Sequence, residues 1–282
     1  YAKDRPQGRA VGAGGKDASQ PQVRIIEHAD VKRMLLAQKS YAEGALALGL
    51  YCARLVDEQH TGDATAADEA RLLLEVLTPI AKSWPSEWCL EANSLAIQVH
   101  GGYGYTRDFP VEQYWRDNRL NMIHEGTHGI QATDLLGRKV LMESGKGLEL
   151  LAARVEKTAA AASGRPALHA QAEALRGAWQ QVTAATRAAW ASGEPAEALA
   201  NAVPYMQAFG HTVLAWIWLD VALAASPAGP AGPAAQQITP GQQGRLAAAQ
   251  FFFHYELPKI GAWLQVVSRR DMTCAHLPEE AF

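Results

Sequence analysis

Apolar residues along this chain recur mostly at every third and fourth position, and the alternating runs that build half-buried strands do not occur. Val31, Met34, Leu35, Tyr41 and Ala42, with Gln38 among them, keep that spacing and predict a long helix over about 30–58, behind a glycine-rich loop. "TGDATAAD" ends it and supplies Ser/Thr/Asp-type caps. A second long helix is expected over about 66–100, kinked or divided near Trp84 by Pro85. "GGYGYTRDFP" reads as a turn, and Pro110 suits the first turn of a short helix running through Arg116. "RLNMIHEGT" is a connector, and the next helix is expected from Gly126 or Thr127 to about Met142. "ESGKG" at 143–147 breaks the pattern. Helices follow over about 148–162, 166–192 and 195–225. "SPAGPAGPAAQQITPG" at 226–241 cannot hold a helix, and a last one covers about 243–270 with Pro258 inside. The expected fold is all-α: an up-down four-helix-type bundle over residues 1–145, then a second helical domain over residues 146–282.

Composition narrows the function classes. The 282 residues include 48% hydrophobic and 20% charged side chains, enough to bury a core and unlike a disordered chain. A net charge of −3 gives no bulk attraction to nucleic acid or an anionic membrane. Cys52, Cys89 and Cys274 are odd in number and far apart, which argues against a disulfide framework or a cysteine zinc site and suits the cytoplasm. The greasiest stretch, "TVLAWIWLDVALAA", falls short of membrane-spanning length and contains Asp220. The opening "YAKDRPQGR" reads as the end of a helix, so the chain is expected to be part of a longer protein.

One short motif invites a metal. His124-Glu125-Gly126-Thr127-His128 matches H-E-x-x-H, in which two histidines on one helical face hold zinc and the glutamate activates its water. That chemistry needs an unbroken helix, whereas Gly126 and Gly129 each cost about 1 kcal/mol in a helix interior. A third ligand at a standard spacing is missing. No metal ligand is assigned.

A longer pattern surrounds the same residues. Gln98, Gly101-Gly102, Gly104-Tyr105, Pro110-Val111-Glu112, Arg116-Asp117 and Glu125-Gly126-Thr127 follow one another within residues 95–141. In that order they resemble the carboxy-terminal signature of acyl-CoA dehydrogenases. "YAKDRPQGR" and "IIEHADVKRML" resemble further stretches of the family upstream, so the likeness runs from residue 1 to about 145. Residues after 145 resemble more weakly the extra helical domain of a longer subfamily, mainly through "DLLGRKVLMESGKGLELL". One member type of that subfamily binds DNA through its tail, but no dense basic run occurs here and nucleic acid is not expected. The tail's Trp216, Trp218, Leu219, Phe251, Phe252, Phe253 and Trp263 are expected in a core or interface.

The resemblance implies an FAD-dependent oxidoreductase that desaturates an acyl-CoA thioester, with Glu125 as the catalytic base. The α-proton of a thioester is weakly acidic and its removal needs a fixed carboxylate. The nascent enolate needs preorganised donors, supplied in the family by the base residue's own N–H and a flavin hydroxyl. The flavin accepts the β-hydrogen as hydride. By the same resemblance Arg5 contacts the flavin pyrophosphate, typically of a neighbouring subunit, with a fork suited to phosphate. Gln98, Gly101 and Gly102 touch the dinucleotide across the subunit interface, and Thr127 contacts flavin phosphate near a helix N-terminus. Implied partners are an acyl-CoA substrate, an electron-transferring flavoprotein as acceptor, and further copies of the chain in a homodimer or homotetramer. The sequence departs from the pattern at His124, where tyrosine is common before the base, and at Gly129, where glutamine is frequent. The alternatives are a non-catalytic flavoprotein-fold module for binding, nucleic acid included, or oligomerisation, and a zinc hydrolase at His124 and His128.

Overall fold

The computed structural model describes residues 1–12, 15–124, 127–226 and 238–282, with only the backbone of Lys16. The fold is all-α. Beyond its helices, the described residues form a two-residue antiparallel pair, β1 (Val11–Gly12) with β2 (Gly15–Lys16), and an isolated bridge between Pro6 and Arg24.

Helix α1 (Ala29–Thr61) and helix α2 (Ala64–His100) make a long hairpin. At 33 residues α1 is about 50 Å long. Its buried positions, Met34, Ala37, Tyr41, Gly44, Leu48 and Leu55, step by threes, fours and a seven; of the stripe read from the sequence, Met34 and Tyr41 are buried, Val31, Leu35 and Gln38 are half-buried and Ala42 is exposed. Asp63 caps α2 by accepting from Thr65 N and Ala66 N at 3.0 and 2.9 Å. Of the two outcomes expected at Pro85, a kink or a division, the division does not occur: both Pro79 and Pro85 lie inside one helix. An interior proline costs about 3 kcal/mol. Here it is flanked by Leu77, Ile80 and Trp84, all essentially excluded from water, and each such side chain returns about 1.5–3 kcal/mol.

Helix α3 (Val111–Arg119) leads through a short connector to α4 (His128–Asp134). α4 is shorter than the sequence suggested. It widens into a π-turn at Leu135–Lys139, where Val140 N donates to Leu135 O at 3.1 Å. Glu143, Ser144 and Gly145 then adopt positive φ and turn the chain sharply into the tail.

The tail comprises α5 (Lys146–Ser163), α6 (His169–Ala189), α7 (Pro195–Leu199), α8 (Ala202–Ala225), α9 (Pro240–Phe251), α10 (Ile260–Arg269) and the short α11 (Thr273–His276). Two expected helices are each divided. The one over 195–225 breaks into α7 and α8 around Ala200 and Asn201. The one over 243–270 breaks at a π-turn, Phe252–Glu256, followed by a tight turn containing Pro258. Pro258 sits in the first turn of that tight element, where its missing N–H costs nothing.

α8 is buried nearly all round, from Ala202 to Ala225. It is long and apolar enough to cross a membrane, contrary to the shorter reading of its sequence, and 78% of its most apolar stretch is buried inside the protein. One hydrophobic core cluster runs from Ala37 in α1 to Val267 in α10, on both sides of residue 145, with α8 in its midst. The tail's Trp216, Trp218, Leu219 and Phe251, Phe252 and Phe253 all belong to it, and Trp263 packs against it.

Candidate functional site

The first group of expected site residues gathers where α2 ends. Tyr1 N-terminal to the glycine-rich loop stacks on His100, with ring centroids 4.5 Å apart, and meets Phe109 edge-on. Ala2, Ile25, Met34 and Val99 close a small core beneath it. This pins the opening segment against α2 and brings Arg5 to the turn: its guanidinium carbon lies 5.8 Å from the centre of the Tyr103 ring. Among the described residues Arg5 makes no ion pair, so its fork faces solvent uncommitted.

The turn itself is open backbone. Gly101 sits at φ 61°, ψ −139°, a conformation that residues with a Cβ rarely adopt, and its N–H caps the helix on Gln98 O. A Cβ built on Gly101 or Gly102 meets nothing within 4 Å, so the main chain faces unfilled space. Gly104 is glycine for the opposite reason, since a Cβ there would lie 2.5 Å from Ile97 O. Gln98 is exposed on the last turn of α2. Arg5, Gln98, Gly101 and Gly102 are thus brought together, although ninety residues separate the first from the rest in round numbers.

The second group lies beside the middle of α2. Glu125, the expected base, and Gly126 fall outside the described residues. Their neighbours are placed. His124 is exposed and lines a cleft of about 430 Å³ with Lys82, Pro85, Ser86, Cys89, Asn118 and Asn121. Burial pushes the Cys89 thiol up to about 11. Thr127 is exposed and precedes α4 in extended conformation, without spending its hydroxyl on a cap bond. His128, the first residue of α4, turns inward: its Nδ1 lies 2.5 Å from Ser83 Oγ. Its Nε2 lies 3.9 Å from Glu87 Oε2. Glu87 in turn accepts a 2.6 Å bond from Gln207 of α8. Burial holds the Glu87 carboxyl above its ordinary value, against the opposing pull of Gln207, and holds His128 below its own, with Arg119 adding to the effect.

The two groups are not brought together. Ser83 and Gly101 are eighteen residues apart on one helix, or about 27 Å. Thr127 therefore stands well away from Arg5 and the glycine turn. Sequence reading missed Ser83, Glu87 and Asn118. The available signal was polar residues, Ser83 and Glu87, recurring at four-residue spacing along an otherwise apolar helix face. Because α4 begins at His128 and His124 stands in the connector, the H-E-x-x-H histidines do not share one helix face. Among the described residues, no cluster of three or more His, Cys, Asp or Glu is arranged to hold a metal.

Comparison with known proteins defines the class. Residues 15–141 match the family model described as acyl-CoA dehydrogenase, C-terminal domain, and residues 151–278 match the one described as acetyl-CoA dehydrogenase C-terminal like. The chain belongs to the acyl-CoA dehydrogenase family and carries its carboxy-terminal helical architecture. It is 36% identical over 236 residues to 3-methylmercaptopropionyl-CoA dehydrogenase of Ruegeria pomeroyi, covering 80% of this chain and 38% of that protein. It is 30% identical over 296 residues to the broad-specificity linear acyl-CoA dehydrogenase FadE5 of Mycobacterium tuberculosis, covering 100% of this chain and 48% of the relative. Among solved structures, ACDH-11 of Caenorhabditis elegans superimposes with a TM-score of 0.70 at 20% identity, covering 93% of this chain and 42% of that one, a likeness of fold. The chain spans less than half the length of these relatives.

Proposed function

We propose that this chain is the carboxy-terminal part of an FAD-dependent acyl-CoA dehydrogenase that desaturates an acyl-CoA thioester between its α and β carbons, with Glu125 as the general base. The observation that carries the reading is the uncommitted Arg5 guanidinium held over Tyr103 beside the open Gly101–Gly102 main chain. A guanidinium fork and a backbone surface free of side chains suit a dinucleotide pyrophosphate, which needs both charge and close approach. The residues present therefore fit FAD. Arg5, Gln98, Gly101 and Gly102 would hold its dinucleotide end, and Thr127, whose hydroxyl makes no cap bond to α4, would meet a second phosphate contact.

The distance of about 27 Å along α2 between the two groups supports a cofactor shared between subunits. Arg5 and the glycine turn would serve one FAD, and Thr127 another, in a homodimer or homotetramer. When bound, FAD supplies the hydride-accepting chemistry that no side chain offers. The protein's task is to place a carboxylate over the α-carbon and take its proton. Glu125, three residues before the start of α4 in the sequence, would do so. An electron-transferring flavoprotein is the proposed acceptor. The three cysteines are free, which supports a reducing compartment such as the cytoplasm.

The test uses the whole protein that carries these residues. Gly102→Val should fill the open space and purify with most of its FAD lost, and Arg5→Ala should weaken retention in the same direction. Glu125→Gln keeps the shape of the carboxylate but cannot accept a proton. It should retain flavin and acyl-CoA binding while flavin bleaching by substrate slows about 10²- to 10⁴-fold. Anaerobic stopped-flow absorbance separates these effects. Bleaching within about threefold of the parent, worth only about 0.7 kcal/mol of barrier, would remove Glu125 as the base.

A further inference from the structure

We infer that the outer face of α1 is an interface with a second copy of this chain, the two α1 helices packing antiparallel about a twofold axis at Leu48. The inner face of α1 is covered by α2 and by the tail, where Trp218 of α8 donates to Ser40 O at 3.0 Å. The outer face carries Ala42, Leu46, Gly49, Leu50, Ala53 and Val56, all exposed, with Leu46 and Leu50 each 63% accessible. At about 100° per residue, Ala42, Leu46, Leu50 and Ala53 stand within about 40° of one line along the helix. A solvated helix face is charged and polar, whereas a continuous apolar line of this kind marks an interaction surface. At its edge a Cβ built on Gly49 meets nothing within 4 Å, so a second backbone can come close.

The arrangement of charge selects a second copy as the occupant. Lys39 and Asp57 stand on the same line, nine residues before and nine after Leu48. Turning a second α1 by a half-turn about an axis through Leu48 sets Leu46 against Leu50 of the other copy, and Lys39 against its Asp57. The rotation leaves each flank on its own side. Glu43 and Arg54, both on one flank and five and six residues from Leu48, therefore meet as well. Within one copy Lys39 pairs with Glu43, and Arg54 pairs with Glu58 at 3.1 Å, while Asp57 makes no ion pair among the described residues. Across the contact the cation at one end meets the free acid at the other, and the twofold repeats the match. A surface that is its own complement is what an isologous interface requires. A parallel pairing would instead bring Lys39 to Lys39 and Asp57 to Asp57. The contact is separate from the Arg5 group: Met34 shares a small core with Val99 at the end of α2, and Leu48 lies fourteen residues, or about 21 Å, further along α1. It does not depend on the flavin reading, and together with a contact that shares FAD it builds four copies rather than two.

The experiment reads the mass of the whole protein that carries these residues, by light scattering over a dilution series, with melting temperature followed alongside. The variants are Leu46→Glu, Lys39→Glu, Asp57→Lys and the double reversal Lys39→Glu with Asp57→Lys. Leu46→Glu should halve the mass of the assembly. Each single reversal sets like charges against each other twice in the contact, and should weaken association about 10- to 100-fold. The double reversal should restore it to within about threefold of the parent. Lys39 and Asp57 are eighteen residues, or about 27 Å, apart on one helix, so that rescue cannot arise within a single chain. The charge variants leave the apolar line intact, so they still decide the matter where Leu46→Glu fails to fold. A parent that is monomeric throughout would overturn the proposal. So would a lower melting temperature in Leu46→Glu with the mass unchanged, which marks a face covered by another part of the same polypeptide. Single reversals that leave association unchanged, or that weaken it without rescue by the double, would overturn it too, because the charges would then not face each other.

Discussion

At Gly210 the tail packs tightly against α2. A Cβ built there would lie 2.6 Å from Cδ1 of Trp84, a side chain 1% exposed. The indole N–H donates to His211 Nδ1 at 3.0 Å, so the hydrogen of the neutral ring sits on Nε2. Gly210→Ala should therefore destabilise the protein by about 1–3 kcal/mol through overpacking, readable as a lower denaturant midpoint at unchanged slope. An unchanged midpoint would mean that Trp84 has room to move. The same cluster sets a pH dependence. Burial drives His211 below its ordinary value. Burial alone would raise the Glu256 carboxyl, but His211, Lys259 at 2.6 Å and Tyr41 outweigh it and hold the group below the usual range. For both groups the unfolded chain takes up its proton first as pH falls, so stability is complete above the unfolded values and drains away below them. For the histidine that loss begins near pH 6.5, and for the glutamate near pH 4.3. Urea midpoints should fall between pH 7 and pH 5, and fall less in His211→Gln. Equal falls in parent and variant would show that His211 carries none of the dependence.

At the scale of elements, the start of α4 decides between two chemistries. An α-helix running from His124 would have put both imidazoles on one face, as a zinc site requires. α4 instead begins at His128, whose Nδ1 is already engaged by Ser83. Elemental analysis of the purified protein should find no stoichiometric zinc. One tightly held zinc per chain, lost in His128→Ala, would restore the hydrolase reading. The two π-turns share a feature. Each places a buried charge against a partner on another element: Lys139 pairs with Glu75 of α2, and Glu256 faces His211 of α8. A wider turn re-aims one side chain without ending the helix, which a periodic sequence pattern does not announce.

The molecule as a whole is held by packing across residue 145. Trp218 donates to Ser40 O at 3.0 Å, and a Cβ on Gly44 would lie 2.7 Å from the same indole nitrogen. Trp84, Leu48 and Val76 belong to the same core as α8. A piece ending at residue 145 would expose such side chains at about 1.5–3 kcal/mol each, and a few of them equal the 5–15 kcal/mol margin of an ordinary domain. Residues 1–145 alone are expected to unfold without cooperativity and to bind apolar dyes. A sharp two-state melt of that piece would show that it is an independent domain.

Much of the fold was legible because helices are local. The helix over α1 with its buried Met34 and Tyr41, the Asp63 cap and the break at residues 143–147 each follow from residues within a turn or two of one another. The ordered signature from Gln98 to Thr127 was legible too, since a family pattern is a property of sequence alone. The open glycine turn belongs with it, because the combination of φ 61° and ψ −139° at Gly101 is one that residues with a Cβ rarely adopt. Tertiary structure decided the rest. Pro85 survives inside α2, where Trp84 and Ile80 are buried, whereas the helix expected around Pro258 is already broken by the π-turn ahead of it. Arg5 reaches Tyr103 because Tyr1 stacks on His100. His128 meets Ser83, and Glu87 meets Gln207, across separations that no periodicity encodes. Local spacing determines which face of a helix is apolar. Which two faces meet is set by packing, and packing is where the candidate site acquired its inner partners.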